Sequence, residues 1–321
     1  MKVLTSYKVP PRLIHIFVAD KIEAEVYKKE LEPKSYGKIV IGKPGIKEIR
    51  NFMANYFPQG KRIVYLDDDI SRLWRCVSKG DPKNKKDNKL IELESFDKFV
   101  KDAFKMSVKT GYRNWGVYPT DNPYFMKPTM RDGSHVSTDL KFLIGFFTGV
   151  INNHKTEVRT ISDKEDYERS IKYYLADGGI LRFNNISCNT RCYKEPGGIQ
   201  TDRKKENSRV NAGILIKNYP DLVSVNTGRK SGFVEIRLRD KRTTTANKQS
   251  NKQSNKQSKK NLSKNQKGGS DGMSSSASSS ALSSAPSSAL PPASGSKSMK
   301  QSFKKNHKKR SSKRSSPKQT K

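Results

Sequence analysis

The stretch Arg62-Ile63-Val64-Tyr65-Leu66-Asp67-Asp68-Asp69-Ile70 decides how this chain is read. An apolar, β-branched run is the signature of a buried strand, and here it delivers three consecutive carboxylates to the strand's end. In open α/β sheets ligands gather at the carboxyl ends of strands, so the placement carries as much meaning as the composition. Alternation along an extended backbone points Asp67 and Asp69 to one face and Asp68 to the other. Clustered carboxylates repel one another unless a cation or a proton intervenes. Their hard oxygens favour Mg²⁺ or Mn²⁺, typically shared with a substrate phosphate. An acidic strand-end turn or a helix cap would account for the same residues without function. The functional alternative is a divalent-metal site for a phosphorylated ligand.

Working outward, residues 12–19 read as a first buried strand. Residues 21–31 follow with helical periodicity that turns Ile22, Val26 and Leu31 inward. Residues 38–42 form a second strand, and Lys43-Pro44-Gly45 leads into a helix at 46–57 with an apolar stripe of Ile46, Ile49, Met53 and Phe57. Pro58-Gln59-Gly60 ends it before the aspartate strand. The order β-α-β-α-β predicts a parallel α/β sheet with right-handed crossovers. Beyond it, 78–88 reads as a charged loop, 95–109 as a helix capped by Ser95, and 115–119 as a strand. The apolar stretch 139–150 predicts a strand and turn behind a site, 163–175 a helix with Asp163 as N-cap, and 180–187 and 233–238 further strands.

Two materials make up the chain. Residues 1–246 hold enough apolar side chains for a substantial core and are expected to form one domain. From Asn247 to Lys321 the sequence is mostly Lys, Ser, Asn, Gln, Ala and Pro, with almost no large apolar side chain, and includes three Asn-Lys-Gln-Ser repeats. Such a segment buries too little apolar surface to offset chain entropy, so it is expected to be a disordered basic tail. The formal net charge is +34, and the tail carries 18 Lys+Arg against Asp271 alone, so both parts are basic. That field attracts polyanions without choosing among DNA, RNA and anionic membranes. The tail suits solubility, nuclear targeting or polyanion binding.

Cys76, Cys188 and Cys192 lack the spacing of a zinc site or a disulfide framework and are expected to be free thiols in a reducing compartment. The polar start, with Lys2, Lys8 and Pro10-Pro11, predicts no signal peptide, and no apolar stretch reaches the ~20 residues of a membrane span. The expected location is intracellular, in the nucleus or in a virion or viral factory.

Three further groups could carry chemistry. Glu165-Asp166 opens a helix, where the dipole favours a carboxylate, and suits a general base; helix stability alone also favours acids there, and Arg169 could simply pair with Glu165. Tyr193-Lys194-Glu195-Pro196-Gly197-Gly198 offers close backbone approach and a phosphate-neutralising Lys194, or an ordinary turn. Trp115, Tyr118 and Asn122 place aromatic and amide groups near a strand end, where they could hold an acceptor or pack a core. A metal-dependent nuclease or nucleotidyltransferase would use the same aspartates but needs further acidic ligands. A non-catalytic nucleic-acid binder would need only the positive surface.

The ordered set resembles the GT-A glycosyltransferases of the TET/JBP-associated group, which includes the glucosyltransferase of DNA base J. The features shared are a strand ending at Phe17-Val18, Gly45-Ile46-x-x-Ile49-Arg50-Asn51, the triple aspartate, and Asn114-Trp115-Gly116-Val117-Tyr118-Pro119. The glycine-bearing strand at 141–150, Lys164-Glu165-Asp166-Tyr167-Glu168-Arg169, and Tyr193-Lys194-x-x-Gly197-Gly198 complete it. The resemblance implies a GT-A-like Rossmannoid mixed sheet flanked by helices, and a nucleotide-sugar donor of the UDP-hexose kind. It implies Asp67 and Asp69 as ligands of Mn²⁺ or Mg²⁺, and Asp166 or Glu165 as the base of an inverting transfer. Phe17, Val18, Arg50, Asn51, Asp67, Asp68, Lys194, Gly197 and Gly198 would contact the donor. The acceptor implied is a hydroxymethylated pyrimidine in DNA, flipped out or single-stranded and held by Trp115, Tyr118 or Asn122; a protein acceptor stays open.

Overall fold

The stretch at 62–66 forms strand β3 (Arg62–Leu66), with Ile63 and Tyr65 buried. The computed structural model describes residues 2–81, 83–128, 135–190, 205–227 and 233–240. Within them the chain is mixed α/β, with seven α-helices and several sheets. The expected tail and the Lys194-to-Gly198 segment lie outside the described residues.

The parallel start is only partly as expected. Strands β1 (His15–Val18) and β2 (Lys38–Ile41) do pair in parallel, from His15 opposite Lys38 to Val18 opposite Ile41. Strand β3 instead runs antiparallel to β8 (Phe147–Ile151), with Arg62 opposite Ile151 and Leu66 opposite Phe147. The Phe147–Val150 run against which β3 pairs is wholly buried. The resulting five-stranded sheet has the order β3-β8-β6-β9-β7, with β6 (Asn114–Val117), β7 (Val136–Ser137) and β9 (Leu181–Phe183). Its one parallel pair is β6 with β9.

A three-stranded antiparallel sheet, β10-β4-β5, stands beside it, made of β4 (Ile70–Ser78), β5 (Asn88–Glu92) and β10 (Ile186–Thr190). The three aspartates are therefore the turn by which the chain leaves one sheet for the other. The strand expected at 180–187 does the same: Asn184 and Asn185 break it into β9 and β10, which belong to different sheets. Strands β11 (Val223–Val225) and β12 (Ile236–Leu238) form a final antiparallel pair.

Helix placement follows local chemistry. Asp20 caps α2 (Lys21–Glu30) by accepting from the Glu23 amide at 2.9 Å. The α2 apolar face is not turned inward as expected. Ala24 is buried, and residues two positions away on a helix lie about 200° round, which leaves Ile22 79% and Val26 47% exposed. In α3 (Ile46–Tyr56) the buried positions are Arg50 and Ala54 rather than the apolar stripe, whose members are half-buried. Ser95 caps α4 (Phe96–Thr110) as expected, and Gly111 closes it in the left-handed region. Two helices, α5 (His154–Glu157) and α6 (Glu165–Asp177), follow β8, and α7 (Lys205–Asn218) supports them; α1 (Lys2–Ser6) opens the chain.

Trp115 has no exposed surface and sits in the main core, met edge-on by Phe99, Phe104, Phe147 and Phe183. Its ring lies against Gly149 so closely that a Cβ there would fall 2.1 Å from the indole. Among the described residues no helix is long and apolar enough to cross a membrane.

Replacing Gly149 by Ala therefore forces the indole or β8 to move. We expect a loss of about 1–3 kcal/mol, read as a lower urea midpoint at unchanged slope. An unchanged midpoint would contradict the packing described.

Candidate functional site

The site is assembled from the end of β3, the middle of α3, the segment before β8 and the start of α6. The Asp67 amide donates to the Phe146 carbonyl at 3.0 Å, fixing the aspartate turn against that segment. Asp67 and Asp69 are half-buried and Asp68 is exposed, but Asp68 and Asp69 lie in a turn rather than on the extended backbone expected. Asp68 accepts a hydrogen bond from the Tyr27 hydroxyl at 2.6 Å, tying α2 to the turn. Burial, then that bond and the negative charge of Asp68, push the Tyr27 phenol above its usual range.

Asp67 is held by Arg50, whose Nη2 donates to Oδ1 at 2.7 Å. Arg50 is buried, and its Nε lies 3.9 Å from Glu165 Oε1. One guanidinium thus joins the aspartate turn to the first residue of α6. Burial works against that charge, but Asp67 and Glu165 outweigh it and keep Arg50 protonated.

Gly145 marks where the parts converge. A Cβ built there would lie 3.5 Å from Glu165 Oε1, 3.8 Å from Arg50 Nη2 and 3.9 Å from Asp166 Cβ. These residues line a narrow recess together with Tyr65, Thr148, Arg159 and Arg169. The Tyr65 hydroxyl in it is buried and has no hydrogen-bond partner among the described residues, with the guanidinium of Arg169 5.0 Å from its ring centre.

The carboxylates around the recess occupy unlike environments. Glu157 is buried between Arg159, at 2.5 Å, and Arg169, at 3.1 Å. Burial pushes it up, but the Arg169 and Arg159 charges overcome this and hold it down to about 2. Glu165 accepts from Arg159 Nε at 3.0 Å. Glu168 accepts from the Thr160 amide and hydroxyl, both at 2.8 Å, and from Lys172 at 2.7 Å. Asp166 differs: its carboxylate takes the Tyr167 amide at 2.9 Å, and among the described residues no Lys or Arg lies in ion-pair contact with it. Burial, and then the charge of Glu165, push its carboxyl up to about 7. That is the range in which a general base works at neutral pH.

Other expected residues fall elsewhere. Arg169 reaches Glu157 and the Thr148 hydroxyl instead of Glu165, because Glu165 is already engaged by Arg159 and Arg50. Asp163 is not the N-cap of α6; that position is Lys164, in the left-handed region at φ 69°, and Asp163 accepts from its ammonium at 3.0 Å. Asn51 uses both ends of its amide on the Arg159 backbone, at 2.8 and 3.0 Å. Phe17 packs against Phe52, Tyr56 and Phe57, and the Val18 side chain is buried. Trp115 cannot stack on an acceptor, since its ring has no exposed surface. Tyr118 is half-buried beneath Arg182, and Asn122 is exposed, accepting from the Tyr124 amide. Cys76 and Cys188 are buried as expected, and Cys192 lies outside the described residues.

Glu157, Arg159, Tyr65, Thr148 and Gly145 were not singled out from sequence. The pair Glu157-x-Arg159 was the one signal available for them, and it acquires meaning only beside α6. Among protein families, curated proteins and solved structures, none matches this chain.

The two shifted carboxylates set opposite pH dependences. Glu157 adds stability above the ordinary carboxylate range and loses it as pH falls toward 2. Asp166 is raised, so its ionisation costs stability as pH climbs through about 7. Urea midpoints should show Asp166→Asn stabilised relative to the native chain above about pH 8 and indistinguishable from it near about pH 4. Equal differences at both ends would contradict the raised carboxyl. Glu157→Gln should cost about 3–5 kcal/mol at neutral pH, because Arg159 and Arg169 then share a buried site without their common anion.

Proposed function

We propose that the chain is a metal-dependent glycosyltransferase with a GT-A-like fold, moving a hexose from a UDP-sugar to a hydroxyl acceptor. The observation that carries this reading is the convergence at Gly145, where the arginine holding Asp67 meets the helix that presents Asp166. A base near neutrality in the recess, joined through Arg50 to a half-exposed carboxylate, suits nucleophilic attack by a hydroxyl with departure of a diphosphate.

The donor set fits a divalent cation. Asp67 already holds a cationic group, its side chain is 37% exposed, and it shares a turn with Asp69. Among the described residues no three Asp, Glu, His or Cys side chains are grouped to hold a metal by themselves. Mg²⁺ commonly takes one or two carboxylates and completes its shell with substrate phosphates, so Asp67 and Asp69 suffice. Bound there, the ion would supply Lewis-acid stabilisation of the leaving diphosphate.

Asp166 is the better base of the acidic pair, since Glu165 is neutralised by Arg159 and Arg50. Asp166 takes the proton of the acceptor hydroxyl as its oxygen bonds to the anomeric carbon, and the diphosphate departs with the bonding electrons. Arg50, Arg159 and Glu165 fix the position of α6 and keep the base carboxylate oriented. The net charge of +34 suits a polyanionic acceptor, of which a hydroxymethylated pyrimidine in DNA is the one that the resemblance implies.

The test is UDP release by the full-length protein from UDP-glucose and UDP-GlcNAc, with Mn²⁺ or EDTA, beside hydroxymethylated and plain DNA. Release should need the metal and rise with pH through about 7, following Asp166. Asp166→Asn should lower turnover by roughly 10²–10⁴-fold, and Asp67→Asn should abolish the metal-dependent turnover. Turnover that persists in EDTA, or survives Asp166→Asn, would contradict the reading.

A further inference from the structure

Arg50 is an unusual neighbour for a metal-binding carboxylate. It is 7% exposed, it projects from the middle of α3, and its Nη2 sits 2.7 Å from the Asp67 oxygen that a cation would share. Its Nε faces Glu165 at 3.9 Å, and the Tyr65 ring lies 5.8 Å from its carbon centre. A buried guanidinium held by two carboxylates cannot give up one of them without leaving charge poorly compensated. A divalent cation arriving alone at Asp67 would therefore meet a resident cation that has nowhere else to go. A diphosphate arriving with it brings the missing anion.

We propose that Arg50 is a counter-cation gate: it keeps Asp67 closed to a bare divalent ion and releases it only when a nucleoside diphosphate supplies Arg50 with a replacement anion. This rests on the proposed function of the same site, since it takes Asp67 as a metal ligand. Its consequence is linkage. Metal and diphosphate each strengthen the other's binding by the same factor, and that factor depends on the charge at position 50.

The experiment is calorimetric titration of the full-length chain with MnCl₂, with and without UDP, for the native protein, Arg50→Gln, Arg50→Lys and Asp67→Asn. In the native protein UDP should tighten Mn²⁺ binding by roughly tenfold or more, within the usual range of coupled sites. In Arg50→Gln, Mn²⁺ alone should bind roughly tenfold more tightly and the UDP effect should shrink correspondingly. Arg50→Lys keeps the charge and should restore the native pattern. The native protein also gives a readout without substitution at Arg50. Its Nε–H resonance should shift on adding Mg²⁺ with UDP and stay in place with Mg²⁺ alone. Mn²⁺ binding with UDP that Asp67→Asn abolishes but Arg50→Gln leaves unchanged would overturn the gate while sparing the metal site. A resonance shift with Mg²⁺ alone would do the same. No Mn²⁺ binding with or without UDP would overturn both.

Discussion

The contact between Arg50 and Asp67 is the interaction on which the site depends. It crosses from α3 to the turn between two sheets, and the same guanidinium faces Glu165 at the start of α6. Three chain segments distant in sequence are thereby held at one point beside Gly145. A charge buried to this degree stays in place only where paired groups compensate it. The contact therefore fixes position as much as it contributes stability.

Around that point four carboxylates share a small volume and are made chemically unlike by their partners. Glu157 lies between two arginines, Glu165 is shared by two others' forks, and Glu168 is engaged by Thr160 and Lys172. Among the described residues Asp166 alone of the four lacks a cationic contact, and its carboxyl rises toward neutrality. Groups of one kind driven apart in acidity by their surroundings are how a fold provides a base beside permanent anions. On the proposed reading, Asp166 is that base and the remaining three are the frame that holds it.

Much of this architecture was legible where the signal is local. The β-branched run before Asp67 forms a strand, Ser95 caps its helix, and Cys76 and Cys188 are buried. What failed was non-local. The partner of β3 depends on the buried run at β8, far along the chain, and nothing in residues 62–66 names it. Ile22 and Val26 satisfied a helical period, yet small Ala24 took the inward position and left them on the opposite side. Trp115 near a strand end reads equally as platform or core until Gly149 and four phenylalanines are seen around it. The ion pairs that build the site were hidden for the same reason: Glu157 and Arg169, or Arg50 and Asp67, become neighbours only once the helices pack.

The most direct measurement is anomalous diffraction from crystals of the protein grown with Mn²⁺ and UDP. The account predicts one manganese at about 2.1 Å from oxygens of Asp67 and Asp69, with the diphosphate on the same side as Asp166 and within reach of Arg50. Manganese and UDP bound together away from the aspartate turn, with Arg50 still on Asp67, would contradict it.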